Sequence, residues 1–224
     1  MKKVFLVIFT LVVGTAAFSQ VKIGGQVVGN LSSGYWEVKG PESLSQSAKA
    51  GFGAGIVSEI SLSERLSLRP SLNYMRRSVK VHAKGVNPEG PGKVEATMDA
   101  NLNYIELPLI LAYNIPVNSG KVYFGVGPQA GYGINGKSKM TYSVLAPGEP
   151  VYSETEKVSS FKKEDKGGAG FKKVDISGTA IAGMQFNSGL FVNASGTYGF
   201  TNNMEGDGKY QSRSVALTVG FLLN

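Results

Sequence analysis

The sequence predicts an all-β fold: an eight-stranded antiparallel up-and-down barrel that spans a membrane. Three observations carry this reading. Apolar and polar or glycine residues alternate with period two in eight separate segments, the signature of strands with two unlike faces. Most of these segments reach about ten residues, the length a tilted strand needs to cross a bilayer. The connections between them alternate short and long, as in a barrel that keeps tight turns at one membrane surface and large loops at the other. A chain of 224 residues suits one such domain.

The first twenty residues stand apart. Lys2 and Lys3 precede an apolar run over 4–13, and small residues lead to Ala17 and Ser19. This is the layout of a secretory signal, so residues 1–19 are expected to be removed, leaving Gln20 at the mature N-terminus and a barrel domain over 20–224. That run is too short for a spanning helix, and no later stretch approaches the roughly 20 apolar residues one requires. With no cysteine in the chain, disulfides and a lipid on an N-terminal cysteine are both excluded. The formal charge of +7 falls by two without Lys2 and Lys3. This modest excess matches a solvated surface as well as a polyanionic partner, and no nucleic-acid partner is expected.

The clearest element is the hairpin over 104–134. Ile105, Leu107, Leu109, Leu111 and Tyr113 form one apolar face, with Tyr104, Glu106, Pro108, Ile110 and Ala112 between them. After the turn at 116–120, Val122, Phe124, Val126, Pro128, Ala130, Tyr132 and Ile134 face one side, and Tyr123, Gly125, Gly127, Gln129, Gly131 and Gly133 the other. The first strand is expected over 21–31, followed by a serine- and glycine-rich loop to residue 50. A second strand covers 51–60 and a tight turn at 62–65 leads into a third over 66–81. Beyond Arg76 and Arg77 the pattern reads as polar on both sides, before the Gly/Pro-rich segment 85–92. The span 137–173 lacks period-two patterning and reads as a long, mobile loop. Strands over 175–186 and 190–200 flank the short turn 187–189. Another loop fills 201–211, and the last strand covers 212–223. Aromatic residues at the strand ends, Tyr74, Tyr113, Phe186, Tyr198, Phe200 and Phe221, fall on the expected lipid face, where interfacial girdles form.

The run Asn103-Tyr104-Ile105-Glu106-Leu107-Pro108-Leu109-Ile110-Leu111-Ala112-Tyr113, followed by Tyr123-Phe124-Gly125-Val126-Gly127-Pro128, resembles the PorT-like outer-membrane β-barrel family of Bacteroidetes-type bacteria. In that family a tyrosine, an acidic residue and Leu-Pro-Leu open one strand, and Gly-Pro lies in the next. The resemblance covers essentially the whole mature chain. It implies an eight-stranded barrel in the outer membrane, and some members are linked to secretion or gliding machinery.

The candidate site is a set of charges on the lumen face. Glu59, Arg69 and Glu106 share that face by parity, with Lys22 a fourth member. An eight-stranded barrel is just wide enough to be filled by side chains, so enclosed charges need partners. A guanidinium at Arg69 between the carboxylates of Glu59 and Glu106 would supply them. The set therefore reads as a structural plug, with a gated ion path as the alternative. Gly125, Gly127 and Gly131 do not precede a helix, so they are not a phosphate loop; they are expected to make room opposite Tyr104 and Tyr123. His82 is the only histidine and makes a poor metal site alone. No catalytic set, metal or cofactor is expected. Lys157, Lys162, Lys163, Lys166, Lys172 and Lys173, interleaved with Glu154, Glu156, Glu164 and Asp165, read as a solvated mixed-charge loop, with lipopolysaccharide phosphates or a protein as the partners it could meet.

The function expected is that of an outer-membrane barrel with a filled lumen, structural, adhesive or associated with secretion machinery, whose external loops engage lipopolysaccharide or a protein. A narrow pore and a small secreted ligand-binding barrel are the alternatives.

Overall fold

The computed structural model describes residues 21–37, 43–86, 92–146, 149–206 and 208–223; the expected signal peptide and Gln20 lie outside the described residues. The strands are β1 (Val21–Glu37), β2 (Ser43–Ser61), β3 (Leu66–Val86), β4 (Lys93–Val117), β5 (Gly120–Ala146), β6 (Glu149–Ser159), β7 (Val174–Phe186), β8 (Leu190–Gly199) and β9 (Lys209–Leu223). All pairings between them are antiparallel. The hydrogen-bonded order β4-β3-β2-β1-β9-β8-β7-β5-β6, with β4 also paired to β5, closes every strand except β6 into a ring. Eight strands thus form the barrel, and closure leaves no backbone edge where hydrocarbon would strand it. The connections at 62–65, 118–119 and 187–189 are tight. Gly189 takes a φ of +94° in the last of them, a conformation that glycine adopts without strain.

Around the belt the outward face is apolar. Ile105, Leu107, Leu109, Leu111 and Tyr113 on β4, and Phe124, Val126, Tyr132 and Ile134 on β5, are all exposed, as are Val215, Leu217, Val219, Phe221 and Leu223 on β9. Serine, asparagine, threonine and charged side chains share the inside with Val57, Ile110, Tyr123, Phe191 and Leu222. Of the girdle aromatics all but Phe186, which is half-buried, are exposed.

The strands do not stop at the membrane. β4 has 25 residues and β5 has 27, more than twice the about 9–11 a spanning strand uses. Above the belt the alternation continues, shifted by one residue at bulges on β2 and β5, and its chemistry inverts. On β3 the outward row passes from Leu72 and Tyr74 to Arg76, Ser78, Lys80, His82 and Lys84, while the inward row passes from Asn73 to Val79 and Val81, which are 2% and 7% exposed. On β4 the outward row changes between Ile105 and Asn103. On β5 it changes at Ile134, the extra residue of a bulge opposite Asn103 and Tyr104. These three sites mark the outer edge of the hydrocarbon layer. The inside-out order above them is that of a water-soluble sheet.

This inversion corrects the sequence reading at several places. The pattern beyond Arg77 is not polar on both sides. The described residues of 137–173 are largely strand and not an unpatterned loop: β5 continues to Ala146, β6 pairs with it, and the segment after β6 returns over the outer mouth. The loops expected over 32–50 and 201–211 are shorter, because β1 runs to Glu37, β2 begins at Ser43 and β9 begins at Lys209. Sequence patterning was matched to a lipid-facing apolar row, and a strand with its apolar row turned inward escapes that template.

The extension has its own core. Trp36, Val79, Val81, Ala100, Leu102, Tyr104, Ala169, Phe171 and Tyr210 form one buried cluster, with Leu44, Met98, Met140, Val158, Phe161 and Met204 packed against it. Trp36 lies 4.5 Å from Tyr210, and Phe171 meets both edge-on at 5.9 and 5.5 Å. Phe161 stands edge-on to Tyr104 at 5.5 Å.

Candidate functional site

Period-two alternation on β3 aims Arg69 and Arg77 into the lumen, eight residues and so roughly 26 Å of strand apart. Each guanidinium organises one layer of buried charge.

The layer nearer the tight turns is built on Arg69. Its Nη1 donates to Glu59 Oε2 at 3.1 Å and to Gln185 Oε1 at 3.3 Å. Lys121 Nζ donates to the other carboxylate oxygen, Glu59 Oε1, at 2.6 Å. The Arg69 guanidinium stands 4.1 Å from the centre of the Tyr123 ring and 5.0 Å from that of Phe191. Both rings are fully buried, so the cation trades water for two π faces. Tyr123 reaches this position because Gly183 leaves space beside its ring, and Asn193 Nδ2 donates to its hydroxyl.

The outer layer is built on Arg77. Its Nε stands 2.7 Å from Glu106 Oε1, and its Nη1 donates to Asp175 Oδ2 at 2.7 Å. Gln129 Nε2 donates to Glu106 Oε2 at 2.9 Å, and its Oε1 accepts from Thr179 Oγ1 at 2.9 Å. Ser212 Oγ donates to Asp175 Oδ2 at 2.8 Å, and Thr201 Oγ1 to Oδ1. Between the layers lies a cavity of about 90 Å³ with a mixed lining, Gln26, Asn73, Gln129 and Asn193 beside Val57, Ile110 and Phe191. That is room for several waters.

The sequence-predicted residues are therefore divided. Glu59 and Arg69 meet as expected. Glu106 does not join them: it belongs to the Arg77 layer, so the expected guanidinium between Glu59 and Glu106 is not formed. Lys22 is the cross-strand partner of Glu59 and is half-buried, in a polar crevice with Ser61, Glu64, Asn114 and Lys121 at the turn end. Sequence reading missed Lys121, Arg77 and Asp175. For the last two the signal was present, since Arg77 continues the parity of Arg69, Ser71 and Asn73, and Asp175 that of Ser177 and Thr179. Gly131 does sit beside Tyr104, 3.4 Å from where a side chain would begin, whereas a side chain at Gly127 would collide with the Leu109 carbonyl of the neighbouring strand. Those glycines make room for backbone as well as for rings. His82 faces outward, its Nδ1 2.7 Å from Thr97 Oγ1 and its Nε2 3.6 Å from Glu95. Among the described residues no group of three or more His, Cys, Asp or Glu side chains could hold a metal.

A closed antiparallel ring with a lipid-compatible outside and a polar, packed inside defines an integral outer-membrane barrel. The chain belongs to the family described as outer membrane protein beta-barrel domain, whose model matches residues 16–205. Among solved structures it is similar to neisserial surface protein A, at 14% identity over 90% of this chain and 98% of that one, with a TM-score of 0.42. It is also similar to Ail, the attachment invasion locus protein of Yersinia pestis (13% identity, 91% and 99%, TM-score 0.40), and to OprG of Pseudomonas aeruginosa (12% identity, 91% and 95%, TM-score 0.39). A comparison with curated proteins finds no significant match.

Proposed function

We propose that this outer-membrane barrel is a non-enzymatic, non-conducting platform that holds its outward sheet extension at the cell surface, where that extension engages a partner in an adhesive, structural or secretion-associated role. The observation that carries the reading is the lumen itself, crossed by two layers of paired charge, while β4 and β5 continue far beyond the apolar belt. A barrel selected for conduction has no use for such layers, and one selected for display needs a rigid base. The Tyr104-to-Leu109 run with Gly127-Pro128 supports the finer placement among PorT-like barrels, and the N-terminal pattern supports export by a cleaved signal.

Position favours lipopolysaccharide as one contact. Lys80 and Lys139 flank Asp99 in one cross-strand row, and Lys157 follows Lys139 on β6. All three lysines are exposed on the face that turns polar just above Tyr74 and Ile134, the level of headgroup phosphates. Lys49 is already held by Asp99 at 2.6 Å.

The test has two stages. Outer-membrane fractionation with a mobility shift seen only after boiling identifies the folded barrel. That material, inserted into a planar bilayer, is expected to pass no steady unitary current; a stable open level overturns the closed lumen.

A further inference from the structure

The inverted extension leaves one feature that neither the plug nor the lipid belt uses. Its concave inner face opens into a cleft of about 380 Å³ bounded by Trp36, Leu44, Val81, Met98, Met140 and Met204. That size and an apolar lining with few polar groups are the marks of a small-molecule site, which spans about 300–1,000 Å³. Methionines give the walls an adaptable, polarizable surface. Among the described residues, the charged side chains bordering the cleft are Glu154 and Glu156. Both sit on the inner face of β6, through the register Glu156↔Met140 and Glu154↔Tyr142, and Tyr152 donates to Glu154 Oε2 at 2.7 Å, orienting that carboxylate. At the level of the cleft the lysines of the same strands take the opposite parity: Lys80 and Lys84 on β3, Lys139 on β5 and Lys157 on β6 all face outward. The outer face thus balances its lysines with Asp99 and Glu95, whereas the cleft side of β6 presents two carboxylates.

We infer that this cleft binds a small hydrophobic cation, a compact apolar body bearing one positive charge. The body fills the methionine-lined space. The charge lies toward Glu154 and Glu156, with the Trp36 and Tyr142 rings as further π partners for it. An anion of the same shape meets two carboxylates and is rejected.

Trp36 is the chain's single tryptophan and borders the cleft, so its emission reports occupancy directly. The folded barrel in a non-ionic amphipol is titrated with tetraphenylphosphonium and with tetraphenylborate, which share shape and differ in sign. Saturable change is expected with the cation, at least about tenfold tighter than any response to the anion. The double substitution Glu154→Gln with Glu156→Gln, on exposed positions, is expected to keep the Trp36 emission of the free protein and to erase that preference. A non-saturating response to the cation, equal responses to both ions, or an unchanged preference in the double variant overturns the site.

Discussion

At the level of single residues, the two arginines look alike and their surroundings rank them differently. Removing Arg77 leaves Glu106 and Asp175, both almost fully buried, without their shared cation, and breaking a buried pair in this way costs about 3–5 kcal/mol. Removing Arg69 leaves Glu59 still held by Lys121 at 2.6 Å, so the loss is nearer the cost of one unsatisfied group, about 1–3 kcal/mol. Arg77→Met is therefore expected to destabilise the barrel more than Arg69→Leu in urea unfolding from lipid vesicles, and the reverse ranking would show that the outer layer is not the stronger clamp. A second residue-level expectation concerns Glu95, outside the apolar belt. Its hydrogen bond from Lys84, with an ion-pair distance of 2.6 Å, holds its carboxyl below the ordinary value. A carboxylate whose pKa is lower when folded adds stability above its unfolded pKa, and that contribution disappears as pH falls through the folded one. The side chain is half-buried at the surface, where solvent screens the pair, so the contribution is small, and the readout is local: the Glu95 carboxyl carbon shift should titrate lower in the folded protein than in an unfolded peptide, and Lys84→Met should return it upward.

At the level of elements, the segment after β6 is a cap held by two rings. Phe161 rests on Tyr104, and Phe171 wedges between Trp36 and Tyr210, with backbone bonds from Ala169 to Ser159 and from Phe171 to Ser160 closing it. Phe171→Ala opens a cavity in this small core, worth about 3–5 kcal/mol where it cannot collapse. The expected result is a red shift of Trp36 emission and rapid tryptic cleavage at Lys162, Lys163 and Lys166, while the boiling-dependent gel shift persists; loss of that shift would tie the cap to the barrel's own stability. This division also explains what could be read in advance. The transmembrane parts of the eight ring strands and the shared lumen face of Glu59 and Arg69 followed from parity, because lipid on one side and a packed lumen on the other impose opposite chemistries on alternate residues, and strand order and short turns followed from the alternating connection lengths. The cap did not follow, since Phe161 and Phe171 bury against Tyr104, Trp36 and Tyr210, all distant in the chain, and no local period announces such contacts. Glu106 was placed on the correct face and given the wrong partner. Parity states which way a side chain points, whereas strand tilt and shear decide which charges lie level across the lumen.

For the molecule as a whole, the lumen is a series arrangement, and this sets how it could be opened. An ion entering from the tight-turn end meets Arg69, Glu59 and Lys121 between the Tyr123 and Phe191 rings. It would then cross the cavity of about 90 Å³ and meet Arg77, Glu106 and Asp175 beneath Tyr104 and the aromatic cluster of the extension. Two obstructions in series have a simple consequence, because removing either leaves the other to block the path. Arg69→Ser and Arg77→Ser are each expected to remain electrically silent in planar bilayers despite lowering stability, and their combination is expected to conduct intermittently, as water enters a lumen that no longer holds either guanidinium. Folded material selected by its gel shift separates a real opening from a leak through damaged protein. If Arg69→Ser alone conducts, the outer layer is no barrier and the extension must be an open vestibule. A silent double variant would place the seal above both layers, in the packed aromatic core where Trp36, Phe171 and Tyr210 meet.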